Sequence, residues 1–372
     1  MKTLIHNGTL ITPTERIEDG WLLAEGGKIA AVGRGAPPGA DRRIDAAGRF
    51  IAPGFIDLHA QGFRGHDLWD PSDENFLAAT REMARTGVTA AQASVDAMPD
   101  VCQVMRQRIG RSDGGARIVG LYLETPFIAP AKRGAIPLAR LLPPSPEAAR
   151  EVIEWSRGIL SMITIAPELP GALDLVRLFR RTAGPMGLVV AAIGHTAATF
   201  DQAAAGIEAG MTHCTHLYNA MPPLLHREPG AVGALLAHGG ASVEIICDGV
   251  HLHPAAVRIA IACKGVSRTC LITDCVSGLR GKVVDGAPRL ADGTLAGSIL
   301  SMDRAIANVR RFADVTLEQA VEMATLTPAR AAGCDRSKGS LAPGKDADVV
   351  LFDEGIAVSL TMIGGEVVWH KG

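Results

Sequence analysis

The sequence predicts an α/β fold: a (β/α)8 barrel of the TIM type carrying a small β-sandwich built from both chain ends. Three observations lead there. Through the middle of the chain, short apolar runs alternate with stretches of helical periodicity, the pattern of parallel βα units. The first fifty residues and the last thirty are instead short β-like runs cut by glycine turns. The length of 372 residues exceeds the roughly 250 of one barrel by enough for a smaller unit beside it.

At the N-terminus, Thr3 to Ile5, Gly20 to Leu23 and Lys28 to Val32 read as strands, interrupted at Gly26-Gly27 and by the loop RGAPPGAD. Residues 1–51 are assigned to the small β unit, 52–339 to the barrel and 340–372 to the returning part of the β unit. Barrel strands are expected to end near His59, Ser94, Glu124, Glu168, His195, His216, His251 and Asp274. Helical periodicity follows in Glu74 to Arg85, Pro146 to Arg157, Ala172 to Arg181, Thr199 to Glu208 and Ala255 to Ala262, and Ser301 to Phe312 and Leu317 to Ala324 complete the ring. After the turn cluster GSLAPG come the strand Asp348 to Phe352 and a hairpin, Ser359 to Ile363 and Glu366 to Trp369, about Gly364-Gly365. Lys345, Asp346 and Asp348 read as a solvated turn.

Composition excludes several classes. Lys plus Arg total 37 against 39 Asp plus Glu, a net charge of -2 with no long run of like charge, so neither a nucleic-acid nor a membrane surface is expected. The seven cysteines are scattered without C-x-x-C spacing, against a disulfide framework or a Cys-ligated zinc. The N-terminus reads as strand, Asn-Gly turn and strand rather than as a leader, and no apolar stretch reaches the roughly 18 residues of a membrane span. A cytoplasmic enzyme is expected.

Parallel barrels place their chemistry at the C-terminal ends of the strands, where variable loops rest on a rigid interior. Seven of the eight expected strand ends carry a His, Glu or Asp. Scattered along the strands instead, such groups would each cost roughly 1–3 kcal/mol if buried unpaired. Glu124, His195 and His216 are the favoured metal ligands: two imidazoles and a carboxylate suit a borderline divalent ion such as Zn²⁺ and leave a position for water. Iron, cobalt or manganese would also fit. Such an ion lowers the pKa of water and polarises a scissile carbonyl. Asp274 is expected to take the water's proton and pass it to the leaving amine, and His251 to stabilise the developing oxyanion. Arg227 offers a planar fork for a phosphate or carboxylate. His213 stands just before His216 on the same strand and is placed to support that ring. In the segment Asp292 to Ser298, glycines at Gly293 and Gly297 would let backbone approach a ligand, with Leu295, Ala296 and Gly297 as the substrate contacts.

At these residues the chain resembles the N-acetylglucosamine-6-phosphate deacetylases of the amidohydrolase superfamily, over most of its length. The likeness lies in PGFID (Pro53 to Asp57), GHD (Gly65 to Asp67), LETPF (Leu123 to Phe127), GHT (Gly194 to Thr196), THLYNAMP (Thr215 to Pro222), REPG (Arg227 to Gly230), DGVHLHP (Asp248 to Pro254), LITD (Leu271 to Asp274) and PGKDADVV (Pro343 to Val350). THLYNAMP followed by REPG discriminates most. The resemblance implies that Glu124, His195 and His216 bind metal and that Asp274 is the acid/base. It further implies that His251, Asn219, Ala220, Ala135 and Arg227 contact an amino sugar phosphate, and that the enzyme is a homodimer. Members carry either H-x-H or Q-x-N after PGFID, whereas this chain has His59-Ala60-Gln61. One ion is therefore expected, with His59 a further ligand and a second ion left open. Thr125 replaces the usual glycine of E-G-P, Ile136 replaces a histidine, and CVSGLRG (Cys275 to Gly281) departs from the usual run of small residues. The expected reaction is removal of acetyl from N-acetylglucosamine 6-phosphate. The alternatives are a related amidohydrolase acting on another N-acyl amino sugar or a cyclic amide, and an inactive scaffold, which would have no reason to retain Glu124, His195, His216 and Asp274 together.

Overall fold

The computed structural model describes residues 1–12, 15–111, 113–278 and 282–371. Its centre is a barrel of eight parallel strands: β1 (Phe55–Ala60), β2 (Val88–Val95), β3 (Arg117–Leu123), β4 (Leu160–Ile165), β5 (Val190–Ile193), β6 (His213–Cys214), β7 (Ser242–Ile246) and β8 (Thr269–Ile272). Neighbours in sequence are neighbours in space throughout. The ring closes where Ala60 bridges Cys275 in parallel and the Asp274 amide donates to the His59 carbonyl at 2.8 Å. Strands such as β2 and β4 are buried at every position, as expected of parallel strands covered on both faces.

The surrounding helices follow the sequence signals closely. Asp73–Arg85 starts at the Ser72 cap and turns Phe76, Ala79 and Met83 inward. Phe200–Ala209 and Leu317–Met323 each start with a complete capping box, Thr199 with Gln202 and Thr316 with Gln319. Three helices escape the periodicity: Pro99–Arg106, Gly230–Ala237 and Leu326–Ala332. Gly230–Ala237 reads GAVGALLA and is buried over its first seven residues; a helix apolar all round has no stripe to detect.

The barrel interior is unusually polar. Tyr122 on β3 reaches across to Thr215 just beyond β6 at 2.7 Å, and Thr164 on β4 meets the same hydroxyl at 2.9 Å. His59 on β1 reaches Ser94 on β2 and Glu244 on β7. Buried polar groups that are mutually hydrogen-bonded avoid the cost of burial and fix one arrangement.

Both chain ends build a second, mixed sheet. Its order runs Glu366–His370, Val358–Ile363, Val349–Phe352, Phe50–Pro53, Lys2–Ile11, Arg16–Glu25, Lys28–Arg34, with Arg42–Asp45 also pairing Lys2–Ile11. Phe50–Pro53 is the joint, antiparallel to Val349–Phe352 and parallel to Lys2–Ile11. The expected solvated turn near its base is a correction. Asp348 is 6% exposed, and Lys338 spans Asp346 at 2.8 Å and Asp348 at 2.5 Å. A carboxylate beside an apolar strand is held by a cation 10 residues earlier, a partner that local composition does not reveal. Among the described residues no helix is long and apolar enough to cross a membrane, and all seven cysteines are free thiols.

Candidate active site

Four loops at the C-terminal ends of the strands bring one cluster together. Glu124 follows β3 directly, His195 and His216 each stand two residues beyond β5 and β6, and Asp274 stands two beyond β8. His195, His216 and Asp274 have positive φ values of 44°, 27° and 47°. Non-glycine residues hold that conformation only where the surroundings over-determine it, and such strain gathers at functional sites. The surroundings are visible. Glu168, given no role from sequence, accepts from the Thr196 hydroxyl at 2.5 Å and the Ala197 amide at 2.6 Å, clamping the turn after His195. Gly194 allows the same turn to press on Thr215, whose Cβ would lie 2.6 Å from any side chain there.

The three expected ligands converge. Nε2 of His195 lies 3.0 Å from Nε2 of His216, and Oε1 of Glu124 lies 3.4 and 3.3 Å from the two. Nδ1 of His195 donates to the Lys132 carbonyl at 2.7 Å, which leaves its Nε2 lone pair facing the cluster. Two imidazole nitrogens and a carboxylate oxygen at that spacing fit a cation: tetrahedral bonds of about 2.0–2.1 Å put ligand atoms about 3.3 Å apart. All three residues are buried, with donor atoms within 4.8 Å of one another. Nδ1 of His216 has no partner among the described residues.

Charge in the cluster is mutually balanced. Burial opposes ionisation of Glu124, but the His59 charge and hydrogen bonds from His195 and His216 hold its carboxyl well below the usual range. Burial raises Asp274, and the neighbouring Glu124 charge adds to that rise against the pull of His59. Its Oδ1 lies 3.2 Å from the Gln61 amide and 3.6 Å from Nε2 of His59. Burial likewise opposes charge on His59, yet Glu124, Glu244 and Asp274 outweigh it and hold that imidazole well above its ordinary value.

Above the cluster opens a cavity of about 580 Å³. Asn219, Ala220, Ala135 and His251 line it, as do Leu295, Ala296 and Gly297. His251 is not at a strand end. It stands five residues beyond β7, carried there by Asp248, whose Oδ2 accepts from Nδ1 at 2.7 Å and leaves Nε2 free. His59 lies beneath the cavity rather than on its wall, fully buried, with Nε2 3.3 Å from Glu124. Gln61 lines the wall instead and bridges Glu124 and Asp274 with one amide. Arg227 is not brought to the cavity of its own chain. It sits in the exposed run 223–228, its guanidinium against His226 at 2.6 Å and outside the cavity lining. Thr125 binds the Ala97 amide at 2.7 Å and Ile136 lines the wall. The departing stretch after Asp274 continues into 279–281, outside the described residues.

Sequence reasoning missed Lys132 and Arg289, which supply positive charge to the wall, and Glu244 beneath it. A lone glutamate inside the apolar strand SVEII was the available signal, since a charge buried there must be paired.

Residues 50–368 match the amidohydrolase family. The chain belongs to the amidohydrolase family. It is 31% identical to an N-acetylglucosamine-6-phosphate deacetylase of Lysinibacillus sphaericus, covering 99% of this chain and 98% of that one. It is 35% identical to an N-acetylgalactosamine-6-phosphate deacetylase of Escherichia coli O157:H7, covering 99% of each. A solved N-acetyl-D-glucosamine-6-phosphate deacetylase variant of Mycobacterium smegmatis, in complex with N-acetyl-D-glucosamine-6-phosphate, superposes with a TM-score of 0.89 at 34% identity over 99% of each chain. These amidohydrolases are metal-dependent hydrolases, and the Glu124, His195 and His216 cluster supplies a donor set for an ion.

Proposed function

We propose that this amidohydrolase removes the acetyl group of N-acetylglucosamine 6-phosphate, giving acetate and glucosamine 6-phosphate. The observation that carries the reading is the convergence of Glu124, His195 and His216 beside Asp274 on the floor of a sugar-sized cavity, in a chain similar end to end to deacetylases of this substrate class. Glu124, His195 and His216 hold the ion, zinc by the chemistry of two imidazoles and one carboxylate. When bound, it lowers the pKa of water and polarises the acetyl carbonyl. Asp274 accepts the attacking water's proton at Oδ1 and returns it to the departing amine, a role suited to a carboxyl raised by burial. His251, oriented by Asp248, points Nε2 into the cavity toward the sugar or the developing oxyanion. Asn219, Ala220, Ala135 and the Leu295 to Gly297 backbone hold the ring.

A galactosamine substrate is the second reading, favoured by the relative from Escherichia coli O157:H7. Acetate release from N-acetylglucosamine and N-acetylgalactosamine, each with and without 6-phosphate, decides between them, with metal content measured on the same preparation. No release from any of the four compounds would overturn both.

Arg227 lies beside the exposed Leu224 and Leu225, which supports a homodimer in which this segment serves the second copy's cavity. Arg227→Ala should then lower kcat/KM on the 6-phosphorylated substrate about tenfold to a hundredfold, from a charge-assisted contact of roughly 1.5–3 kcal/mol. Mixing it with Asp274→Asn should restore part of the activity in hybrid dimers. An equal loss on phosphorylated and unphosphorylated sugars would remove Arg227 from phosphate binding. Free thiols throughout support a reducing, cytoplasmic setting.

A further inference from the structure

Beneath the hydrolytic centre lies a buried carboxylate that the chemistry above does not use. Glu244, in the middle of β7, has no exposed surface. Its Oε1 accepts from Nε2 of His213 at 2.9 Å, and its Oε2 from Nδ1 of His59 at 3.1 Å and the main-chain amide of His216 at 3.0 Å. Nδ1 of His213 is anchored in turn against the Ser242 hydroxyl at 2.7 Å.

An ionised carboxylate only accepts, so both imidazole nitrogens that face Glu244 carry protons. With Nδ1 of His59 held against Glu244, the nitrogen turned to the rest of the cluster is Nε2. That is the atom 3.3 Å from Oε1 of Glu124, 3.6 Å from Oδ1 of Asp274 and 3.0 Å from the Ser94 hydroxyl. The bond to the His216 amide acts on a residue whose φ is 27°, a conformation that needs an external tie. That residue's Nε2 stands 3.3 Å from the same Glu124 oxygen. One side chain therefore sets, from behind, the orientation of two rings that face Glu124.

We propose that Glu244 is a positioning residue for the metal-facing centre, holding the Nδ1–H of His59 and the backbone of His216 so that both rings present Nε2 to Glu124. Partners of this kind orient ligating histidines and set their basicity. Glu244→Gln keeps the shape but replaces one accepting oxygen with a donating amide, so three N–H groups can no longer all be met. Glu244→Asp keeps an accepting carboxylate on a shorter arm.

The test uses full-length protein labelled with 15N at histidine, metal-free and zinc-loaded, and long-range proton–nitrogen spectra. The wild type is expected to show a protonated Nδ1 on His59 and a protonated Nε2 on His213. In Glu244→Gln one of these signatures changes and zinc affinity, read by chelator competition, falls about tenfold to a hundredfold. Turnover falls with it while KM stays within about threefold, and Glu244→Asp lies closer to wild type than Glu244→Gln does. A bare Nδ1 on His59 in the wild type overturns the proposal even if neither variant folds. So does wild-type zinc affinity with unchanged histidine signatures in folded Glu244→Gln. The activity arm rests on the deacetylase reading, but the spectra and zinc affinity do not. Wild-type protein with the expected signatures and no acetate release would reject that reading and leave the positioning role standing.

Discussion

Asp274 is tied on three sides: its amide donates to the His59 carbonyl, its carbonyl accepts from the Ser298 amide, and its carboxylate meets Gln61. Replacing it with Asn preserves that shape but removes the basic oxygen. Asp274→Asn is expected to purify with normal metal and to lose about a hundredfold to ten-thousandfold in kcat, the usual worth of general acid/base catalysis. Near wild-type turnover would take Asp274 out of the reaction. His195→Ala and His216→Ala should behave differently, losing metal and activity together, because each removes one of three donor side chains; metal analysis of either protein checks this, and a full complement contradicts the ligand set. Glu124, His195, His216 and Asp274 were legible because each stands within two positions of a strand end and carries chemistry a barrel core does not tolerate unpaired. Arg227 was legible as a cation but not as one outside its own cavity, since the course of an irregular exposed loop leaves no periodic trace. Glu244 was overlooked for the opposite reason: its strand reads as core, and the histidines that balance it lie 185 and 31 residues away.

At the scale of elements, the hairpin Lys282–Val284 with Ala287–Arg289 leads into a tight turn, where Leu290 and Thr294 pair and Arg289 bridges Leu295. The segment then runs against the loop after β8, with Ser298 bridging Cys275. Two glycines in DGTLAGS suggested close backbone approach to a ligand. Gly293 has open space around it, whereas a Cβ at Gly297 would lie 2.9 Å from the Asp274 carbonyl and 2.5 Å from Val276, at a φ of 73°. Gly297→Ala is therefore expected to displace Asp274 and lower kcat by about a hundredfold, since misplacement of about 1 Å costs that much. The global fold should survive. Steady-state kinetics beside a near-UV circular dichroism spectrum tests this, and unchanged kcat would show that the loop yields without moving Asp274. Helices with capping boxes were read to within a residue or two, while fully buried Gly230–Ala237 was not, because periodicity reports contrast between faces and that helix has none.

For the molecule as a whole, two buried carboxylates set opposing dependences on pH. Glu244 titrates at about 2, below its ordinary 4.5, because the His59 charge and bonds from His213 and His59 overcome the burial penalty. Ionisation thus favours the folded state. That contribution, on the order of 3 kcal/mol, is complete above pH 4.5 and is lost as pH falls toward 2. Asp57 is pushed by burial up to about 6 from 3.8, so its proton favours the folded state and its penalty grows as pH rises through that interval. Urea titrations of Glu244→Gln and wild type should show a stability gap at neutral pH that narrows below pH 4.5; a gap independent of pH would mean that the carboxylate's charge is not what stabilises. The fold class was legible at this scale because alternation along the chain and the glycine-cut ends are properties of long stretches. The Lys338 clasp on Asp346 and Asp348 was not, because Lys338 stands in an irregular bend 8 and 10 residues before its partners, where no periodicity marks it. The closure of the barrel also bears on synthesis. β1 emerges from the ribosome early, but its neighbour β8 and the Asp274 to His59 seam exist only once some three-quarters of the chain has been made, and Phe50–Pro53 waits longer still for Val349–Phe352. A nascent chain therefore exposes two unpaired strand edges through most of its translation, and it cannot bring Asp274 to Glu124, His195 and His216 until some three-quarters of it has been made.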